Sequence, residues 1–253
     1  MWPDGSTQDV EGFDDAGLAR SVRLLRLFRS EQSDPDRYYT VVAADAVQQV
    51  AHHAKLAGRL VVDVGGGAGW FTAAFRARGA RCLLLEPDPA ELHDGPCKPA
   101  GAVIADGMRL PLRDAVADIT FSSNVLEHVP DPLRLIAEMI RVTKPEGLIY
   151  LAFTNWYSPW GGHELSPWHY LGSGFAERKY ARRYQRRPKH RVGETLFPVH
   201  IGSVLRAMRA REDIEIVDAR PRYYPQWCRP IVLIPALREI ATWNLMLVMR
   251  RRQ

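Results

Sequence analysis

Apolar residues in the middle of the chain follow two different periods. Leu60 to Val64 is a short apolar, β-branched run, which is typical of a strand buried in a parallel sheet. Residues 71–75 then repeat apolar side chains at helical spacing, Gly79 stands where a helix would end, and a second apolar run covers 81–86. This order predicts a strand–helix–strand unit whose two strands are parallel.

Further helices and strands are predicted on both sides of this unit. The predicted helices are Leu18 to Phe28, Asp34 toward Leu56, from Asp131 onward, and Ile201 to Ala210; the predicted strands are 101–107, a run ending at Ser122 or Ser123, Leu148 to Phe153, Ile214 to Ala219 and Trp243 to Met249. The apolar faces are predicted to hold Leu18, Val22, Leu25 and Phe28 in the first helix, and Leu133, Ile136 and Ile140 in the helix after Asp131. Residues 1–16 are polar and acidic and are expected to be loose.

The turn between the first strand and its helix is rich in glycine. Residues 65–69 hold four glycines, which let the backbone take positive φ and approach a ligand closely. The dinucleotide-binding pattern G-x-G-x-x-G needs a third glycine where this chain has Trp70. The pattern present instead, Asp63-x-Gly65-x-Gly67-x-Gly69, resembles the first motif of the class I S-adenosylmethionine-dependent methyltransferases.

Three further motifs extend this resemblance to the methyltransferase type 11 family, a ubiquinone-biosynthesis-like group. They are Ala105-Asp106-Gly107-Met108-Arg109-Leu110-Pro111, the block from Asp118 to Pro132, and Lys144-Pro145-Glu146-Gly147 with the strand after it. Glu146 departs from the family, which more usually has glycine there. The resemblance covers about residues 40–153.

The resemblance implies S-adenosylmethionine as the cofactor and a contact for each part of it. Asp63 is implied for the ammonium group and Glu86 for both ribose hydroxyls. Asp106 is implied for the adenine amino group, because a carboxylate accepts from N–H₂ in a fixed direction. The other residues implied in the cofactor pocket are Gly65, Gly67, Gly69, Gly107, Met108 and Asn124.

The fold implied is α/β and Rossmann-like, with a mostly parallel seven-stranded sheet whose last strand runs antiparallel. We expect an N-terminal tail and cap helices over residues 1–57, the cofactor-binding core over 58–153, a substrate lid over 154–199 and completion of the core sheet over 200–253. The expected lid is dense in aromatic residues, glycine and proline and follows neither a helical nor a strand period.

The expected reaction is transfer of the cofactor's methyl group to a small-molecule or lipid-linked acceptor, with a hydroxyl oxygen as the expected methylation site. The protein then mainly orients the two reactants and supplies a base where the acceptor is a weak acid. His128, His163 and His169 are the candidate bases, because imidazole has an unperturbed pKa of about 6.5 and is a neutral acceptor at pH 7.

Glu127-His128 also invites a metal hypothesis. Some O-methyltransferases carry E-x-x-E-H at this point and hold Mg²⁺, but this chain has Asn124 in place of the first acid. Losing one charged oxygen ligand weakens a site for a hard cation. We therefore assign no metal ligands from the sequence and keep a magnesium-assisted reaction as a secondary alternative.

Composition describes an ordinary globular chain. Of its 253 residues 46% are hydrophobic and 25% are charged, and no apolar run approaches the roughly 18 residues that would span a bilayer. Cys82, Cys97 and Cys228 are too few and too scattered for a disulfide framework or a zinc cluster. We expect a cytoplasmic protein, with peripheral contact to the inner face of the membrane left open.

One segment carries the excess of positive charge. Its cations are Arg178, Lys179, Arg182, Arg183, Arg186, Arg187, Lys189 and Arg191, with no acid among them. Removing these eight from the net charge of +5 leaves the rest of the chain net negative. An anionic surface or an acidic substrate is the expected neighbour; a merely solvated face is the alternative, and nucleic acid ranks last because no RNA-binding motif accompanies the run.

Two other classes of function stay open from the sequence. A nicotinamide-dependent oxidoreductase would share the strand–helix–strand unit, although Trp70 replaces its third glycine. A non-catalytic partner subunit of the same fold would keep the motifs without turnover.

Overall fold

The computed structural model describes residues 17–28, 33–92, 95–96 and 101–253. Residues 1–16, which were expected to be loose, and Cys97 lie outside the described residues. Its strands are β1 (Leu60–Val64), β2 (Arg81–Glu86), β3 (Ala102–Ile104), β4 (Ala117–Ser123), β5 (Thr143–Thr154), β6 (Ile214–Pro221) and β7 (Asn244–Arg251). Its α-helices are α1 (Leu18–Phe28), α2 (Pro35–Ala51), α3 (Trp70–Ala77), α4 (Pro132–Val142), α5 (Ser173–Tyr184), α6 (Ile201–Arg209) and α7 (Pro235–Ala241).

The strands of the described residues form one seven-stranded sheet in the order β3-β2-β1-β4-β5-β7-β6. The pairs from β3 through β5 are parallel, whereas β7 runs antiparallel to both β5 and β6. The predicted α/β, Rossmann-like fold with an antiparallel last strand is therefore confirmed. The parallel order brings the carboxyl ends of β1 to β4 to one edge, which is where such sheets bind ligands.

Both faces of the central strands are buried, which explains their continuous apolar sequence. Val62 and Val64 pack in a core with α4 and α6, while Val61 packs on the opposite face with residues of α2 and α3. All three valines are fully buried. β1 is thus held between two helical layers, and the turn that follows it starts from a fixed point.

The apolar face predicted for α1 is wrong. Leu18, Val22 and Leu25 are exposed, and the buried apolar residues of the helix are Leu24 and Leu27. The reason is Arg20, which is buried and forms two 2.6 Å hydrogen bonds to the carboxylate of Asp45 on α2. With this ion pair on its inner side, α1 turns Leu18, Val22 and Leu25 outward, whereas the predicted Phe28 does pack inward, against Tyr38 and Tyr223.

Two helix predictions need smaller corrections, and one departure from the family pattern has a structural explanation. α2 begins after the predicted Asp34 cap but ends at Ala51, five residues before Leu56. In α4 the predicted Leu133 is exposed, and Leu135 and Met139 complete the buried face with Ile136 and Ile140. Glu146, where the family usually has glycine, takes a left-handed φ of 62°, so the position keeps the backbone that favours glycine.

Residues 155–200, called the cap below, connect β5 to α6. They contain α5 and two short 3₁₀ turns, His163–Leu165 and Trp168–Leu171. Leu165, Ala176 and Tyr180 form a small core of the cap's own. Among the described residues no helix combines the length and apolarity needed to cross a membrane.

Candidate functional site

The glycine turn lies at the carboxyl end of β1 and is bonded to the neighbouring strand. The N–H groups of Gly65 and Gly66 donate to the carbonyl oxygen of Leu85 at 2.7 and 3.3 Å. A Cβ on Gly65 would lie 2.6 Å from the Val125 side chain, whereas a Cβ on Gly67, at φ 52°, would meet nothing within 4 Å. Gly67 therefore faces open space, as the wall of a ligand cradle must.

Glu86 lies across this cradle. Its carboxylate accepts hydrogen bonds from the N–H of Gly67 at 2.9 Å and from the N–H of Asp88 at 3.1 Å. Burial raises the pKa of Glu86, against the lowering effect of these two bonds. The second-strand acid predicted to meet the ribose is thus at the cradle's rim.

Asp63 lies beneath the turn and is fully buried. One carboxylate oxygen accepts from Thr72 Oγ1 at 2.7 Å, and the other, Oδ1, has no hydrogen-bond partner among the described residues. Burial raises the pKa of Asp63 to about 7. A buried carboxylate oxygen that lacks a hydrogen-bond donor is suited to a cationic ligand, because a nearby positive charge favours the carboxylate form.

The remaining predicted cofactor residues follow β3 and β4, at the same edge of the sheet. Asp106 is exposed and accepts from the Met108 N–H at 2.8 Å. A Cβ on Gly107 would lie 3.0 Å from Leu135, so this glycine serves close packing. Asn124 has φ 58° and accepts from Asn244 Nδ2 at 2.7 Å, which ties the end of β4 to the start of β7.

Sequence reasoning missed Arg222, which directly follows β6. Its side chain is fully buried; Nη1 donates to Ser123 Oγ at 2.7 Å, while Nε and Nη2 have no hydrogen-bond partner among the described residues. The guanidinium lies 6.0 Å from the ring of Phe71 in the first turn of α3. A buried guanidinium with unused donors is suited to binding an anion, and only its place in the fold distinguishes it from the chain's other arginines.

A small aromatic cavity opens beside the ends of β4, β5 and β7. Its lining residues are Phe28, Asn124, Thr154, Trp160, Tyr223, Trp243 and Asn244. Its volume is about 50 Å³ and Asn124 is shared with the predicted cofactor pocket, so this cavity is a candidate contact for part of the acceptor. Its walls come from α1, the cap and the chain around β7, which are far apart in sequence.

The predicted histidines separate into a pair and a single residue. His128 and His163 have ring centroids 4.9 Å apart, and His190, which the sequence did not single out, lies 5.1 and 4.6 Å from them. His169 lies apart: it is buried against Gly162, and its Nε2 is 3.2 Å from the carbonyl of Trp156. Of the three candidate bases, His169 has the least access to a ligand.

Glu127, the acid before His128, has a structural contact. Its side chain is buried and accepts from the N–H of Thr154 at the end of β5, at 3.0 Å. This bond fixes the turn after β4 against the sheet.

The basic run, residues 178–191, continues past the end of α5. α5 ends at Tyr184 and Gln185 takes a left-handed φ of 52°, so Arg186 and Arg187 lie outside the helix on which they were predicted. The exposed cations are Arg178, Lys179, Arg182, Arg183, Arg186, Arg187 and Lys189. Arg183 packs over the ring of Trp168 at 5.8 Å, and Tyr184 is exposed whereas Tyr180 is buried.

Comparison with known proteins finds the same fold and similar sequences. The methyltransferase domain family matches residues 62–151. A protein of Mycobacteroides abscessus, named an uncharacterized methyltransferase, is 46% identical over 250 residues, covering 94% of this chain and 96% of its own length. A similarly named protein of Mycobacterium leprae is 45% identical over 247 residues, covering 94% and 91%.

Solved structures match at lower identity. An S-adenosylmethionine-dependent methyltransferase from Mesorhizobium loti has a TM-score of 0.56 at 22% identity, covering 82% of this chain and 98% of its own. A geranyl diphosphate methyltransferase in complex with S-adenosylmethionine has a TM-score of 0.56 at 14% identity, covering 98% and 95%. At these identities the structures establish the shared fold.

Proposed function

The chain belongs to the methyltransferase domain family, and from that premise we propose that it moves a methyl group from S-adenosylmethionine to a hydroxyl of a small amphiphilic acceptor. The observation that carries the proposal is the open cradle at Gly67, with Glu86 at its rim and the unmet acceptor of Asp63 beneath it. The solved relative that holds S-adenosylmethionine has the same fold, which supports this cofactor.

Each part of the cofactor has a suitable group in the site. Asp63 suits the ammonium group, because its Oδ1 lacks a partner and a cation would stabilise its buried charge. Glu86 suits the ribose hydroxyls, since both of its oxygens can accept, and the exposed Asp106 suits the adenine amino group. We assign the amino-acid carboxylate to the two unused donors of Arg222.

The bound cofactor supplies an electrophilic methyl on a sulfonium, which is already a good leaving group. The protein's contribution is to hold the acceptor oxygen in line with that methyl and to exclude water. Deprotonation of the hydroxyl is assigned to His128, beside the turn after β4. Burial, with His128 and His190 nearby, lowers the pKa of His163 to about 3, which makes its neutral ring a weak base.

An amphiphilic acceptor is supported by two surfaces. The aromatic cavity offers an apolar wall, and the region from Trp227 to Ile240 exposes the large apolar side chains of Trp227, Leu233, Ile234, Leu237 and Ile240. An exposed apolar patch beside a polar surface marks an interaction site, and exposed cations add attraction to anionic lipid. We propose that the acceptor is met at an anionic membrane surface.

Calorimetric titration tests the cofactor assignment. S-adenosylmethionine and its demethylated product are expected to bind one per chain, and NADH is expected not to bind, because Trp70 occupies the position of the third glycine of the dinucleotide pattern. Binding of NADH in preference to S-adenosylmethionine would overturn the proposal. Mass spectrometry of molecules extracted from the purified protein then identifies the acceptor class.

Liposome flotation tests the membrane surface. The wild-type chain is expected to float with vesicles that contain anionic lipid, and a variant with glutamine at Arg182, Arg183, Arg186 and Arg187 is expected to stay with the soluble fraction. A second variant, Trp227→Ser with Leu233→Ser, tests the apolar contribution separately. Equal flotation of the wild type and both variants would rule out this surface.

A further inference from the structure

Three histidines from separate parts of the chain meet beside the turn after β4, at the carboxyl edge of the sheet. His128 ends the 3₁₀ turn after β4, His163 begins a 3₁₀ turn of the cap, and His190 follows α5. One ring nitrogen of each lies within 4.8 Å of those of the other two. Three imidazoles rarely converge without a reason, because each carries a polar ring that must be hydrated, hydrogen-bonded or bound.

The hydrogen bonds around the rings leave one nitrogen of each available. Nδ1 of His128 lies 2.8 Å from the Thr195 carbonyl oxygen, and Nδ1 of His190 lies 2.6 Å from the Glu164 carboxylate, so Nε2 remains in both rings. His163 Nδ1 is buried and has no hydrogen-bond partner among the described residues. A carboxylate or a carbonyl behind the second ring nitrogen is the arrangement that orients metal-binding histidines.

We infer that His128, His163 and His190 bind a divalent transition-metal ion of the zinc type, which fastens the cap to the core. Three neutral imidazoles form a nitrogen donor set that favours zinc, copper or nickel over magnesium. This inference rests on the cluster alone and does not depend on the proposed methyl transfer. If it holds, His128 acts as a ligand and not as a free base.

The distances are compatible with such an ion after a small adjustment. Ligands at a Zn–N distance of about 2.1 Å in a tetrahedral site lie about 3.4 Å apart, compared with the 4.8 Å that bounds the present spacing. Rotation of the rings on their 3₁₀ turns and loop closes this difference. Three protein ligands leave a fourth position for water or another small ligand.

The cluster's neighbours support neutral, correctly oriented rings. Glu164 accepts a hydrogen bond from the backbone N–H of His190 at 2.8 Å, and its other carboxylate oxygen lies 2.6 Å from Nδ1 of the same residue. This contact fixes the ring and points Nε2 away from Glu164. The ion would then link the turn after β4 to two distant points of the cap.

Metal titration of chelator-stripped protein tests the site. One Zn²⁺ or Co²⁺ per chain is expected, with the visible absorption of four-coordinate Co²⁺, and Mg²⁺ is expected not to compete. His163→Ala and His190→Ala are expected to lose the ion, whereas His52→Ala, an exposed histidine outside the cluster, is expected to keep it. Circular dichroism without metal confirms that each variant is folded.

Two further readouts separate a structural clamp from adventitious binding. Glu164→Gln is expected to weaken the metal about 10- to 100-fold, while Glu177→Gln, on the same cap, is expected to leave it unchanged. Trypsin cleavage after the exposed Arg183 and Arg186 is expected to slow when the metal is added. An absence of bound metal in the wild type, or wild-type metal binding by His190→Ala, would overturn the inference whatever the outcome with S-adenosylmethionine.

Discussion

The cofactor cradle and the cap place functional groups by different physical means. The cradle follows from local rules: β1 ends, glycines turn the chain, and α3 begins, so Asp63, Gly67 and Glu86 meet within a stretch of about two dozen residues. In the cap, long-range contacts bring His163 and His190 to His128. Ligand binding in the cradle should therefore be most sensitive to substitutions that fill the space beside the backbone. The function of the cap should depend on individual side chains.

The largest expected effect comes from filling the cradle. Gly67→Arg is expected to lower the affinity for S-adenosylmethionine by at least about a hundredfold, about 2.7 kcal/mol, because the side chain enters the open space that the ligand needs. Calorimetric titration measures the change. Wild-type affinity in this variant would contradict the proposed site.

Gly58→Arg is the matched control for that variant. Gly58 also has a positive φ, 75°, and a Cβ there would also meet nothing within 4 Å, but it precedes β1 at the opposite end of the strand. Both arginines carry the cost of a left-handed residue, about 1 kcal/mol. Only Gly67→Arg is expected to lose the cofactor, so the pair separates backbone strain from occupation of the cradle.

The next effect separates two buried arginines. Arg222→Met is expected to weaken S-adenosylmethionine binding about 10- to 150-fold, the equivalent of charged hydrogen bonds worth about 1.5–3 kcal/mol. Its stability is expected to stay constant or rise, because methionine removes a buried cation with two unmet donors.

Arg20→Met provides the opposite result and serves as the control. It breaks the buried ion pair with Asp45 and the 2.9 Å hydrogen bond to the carbonyl oxygen of Arg222, and it is expected to destabilise the fold by about 3 kcal/mol in chemical denaturation. The donors of Arg20 are used within the fold, so the cofactor affinity of the folded protein is expected to fall less than in Arg222→Met. If Arg222→Met destabilises like Arg20→Met and keeps its affinity, Arg222 is structural.

A smaller, graded effect is expected from pH. Asp63 has a pKa of about 7, raised mainly by burial, so a cationic ligand must displace its proton below that pH. Affinity for S-adenosylmethionine is expected to rise by up to about tenfold per pH unit toward pH 7 and to level off above it. Asp63→Asn should flatten this dependence; Glu86, also raised by burial, accounts for any slope that remains.

The stability of the ligand-free protein should show the reverse sign. The folded pKa of Asp63 exceeds its unfolded value of 3.8, so its favourable contribution is complete below about pH 4 and is lost as pH rises through 7. Asp63→Asn should therefore stabilise the ligand-free chain at pH 8 relative to pH 4. Parallel pH profiles for the wild type and the variant would contradict the raised pKa.

What the sequence could predict follows the same division. The bounds of β1 and β2 and the cap of α4 at Asp131 were predictable because periodicity and capping act over a few residues. The orientation of α1 was not, since Leu18 and Leu25 fit a helical stripe as well as Leu24 does, and the deciding contact, Arg20 with Asp45, joins separate helices. Convergence of His163 and His190 on His128 likewise has no local signal.

The smallest expected effect is the one that most sharply separates the two regions. Replacing Arg182, Arg183, Arg186 and Arg187 by glutamine should change the affinity for S-adenosylmethionine by less than about twofold at physiological salt, because exposed charges are screened within about 8 Å. The same variant is expected to lose vesicle binding. A marked loss of cofactor affinity, measured by calorimetry, would mean that the basic run acts on the cradle itself, and the cap could no longer be treated as a separate surface attached to an independent binding core.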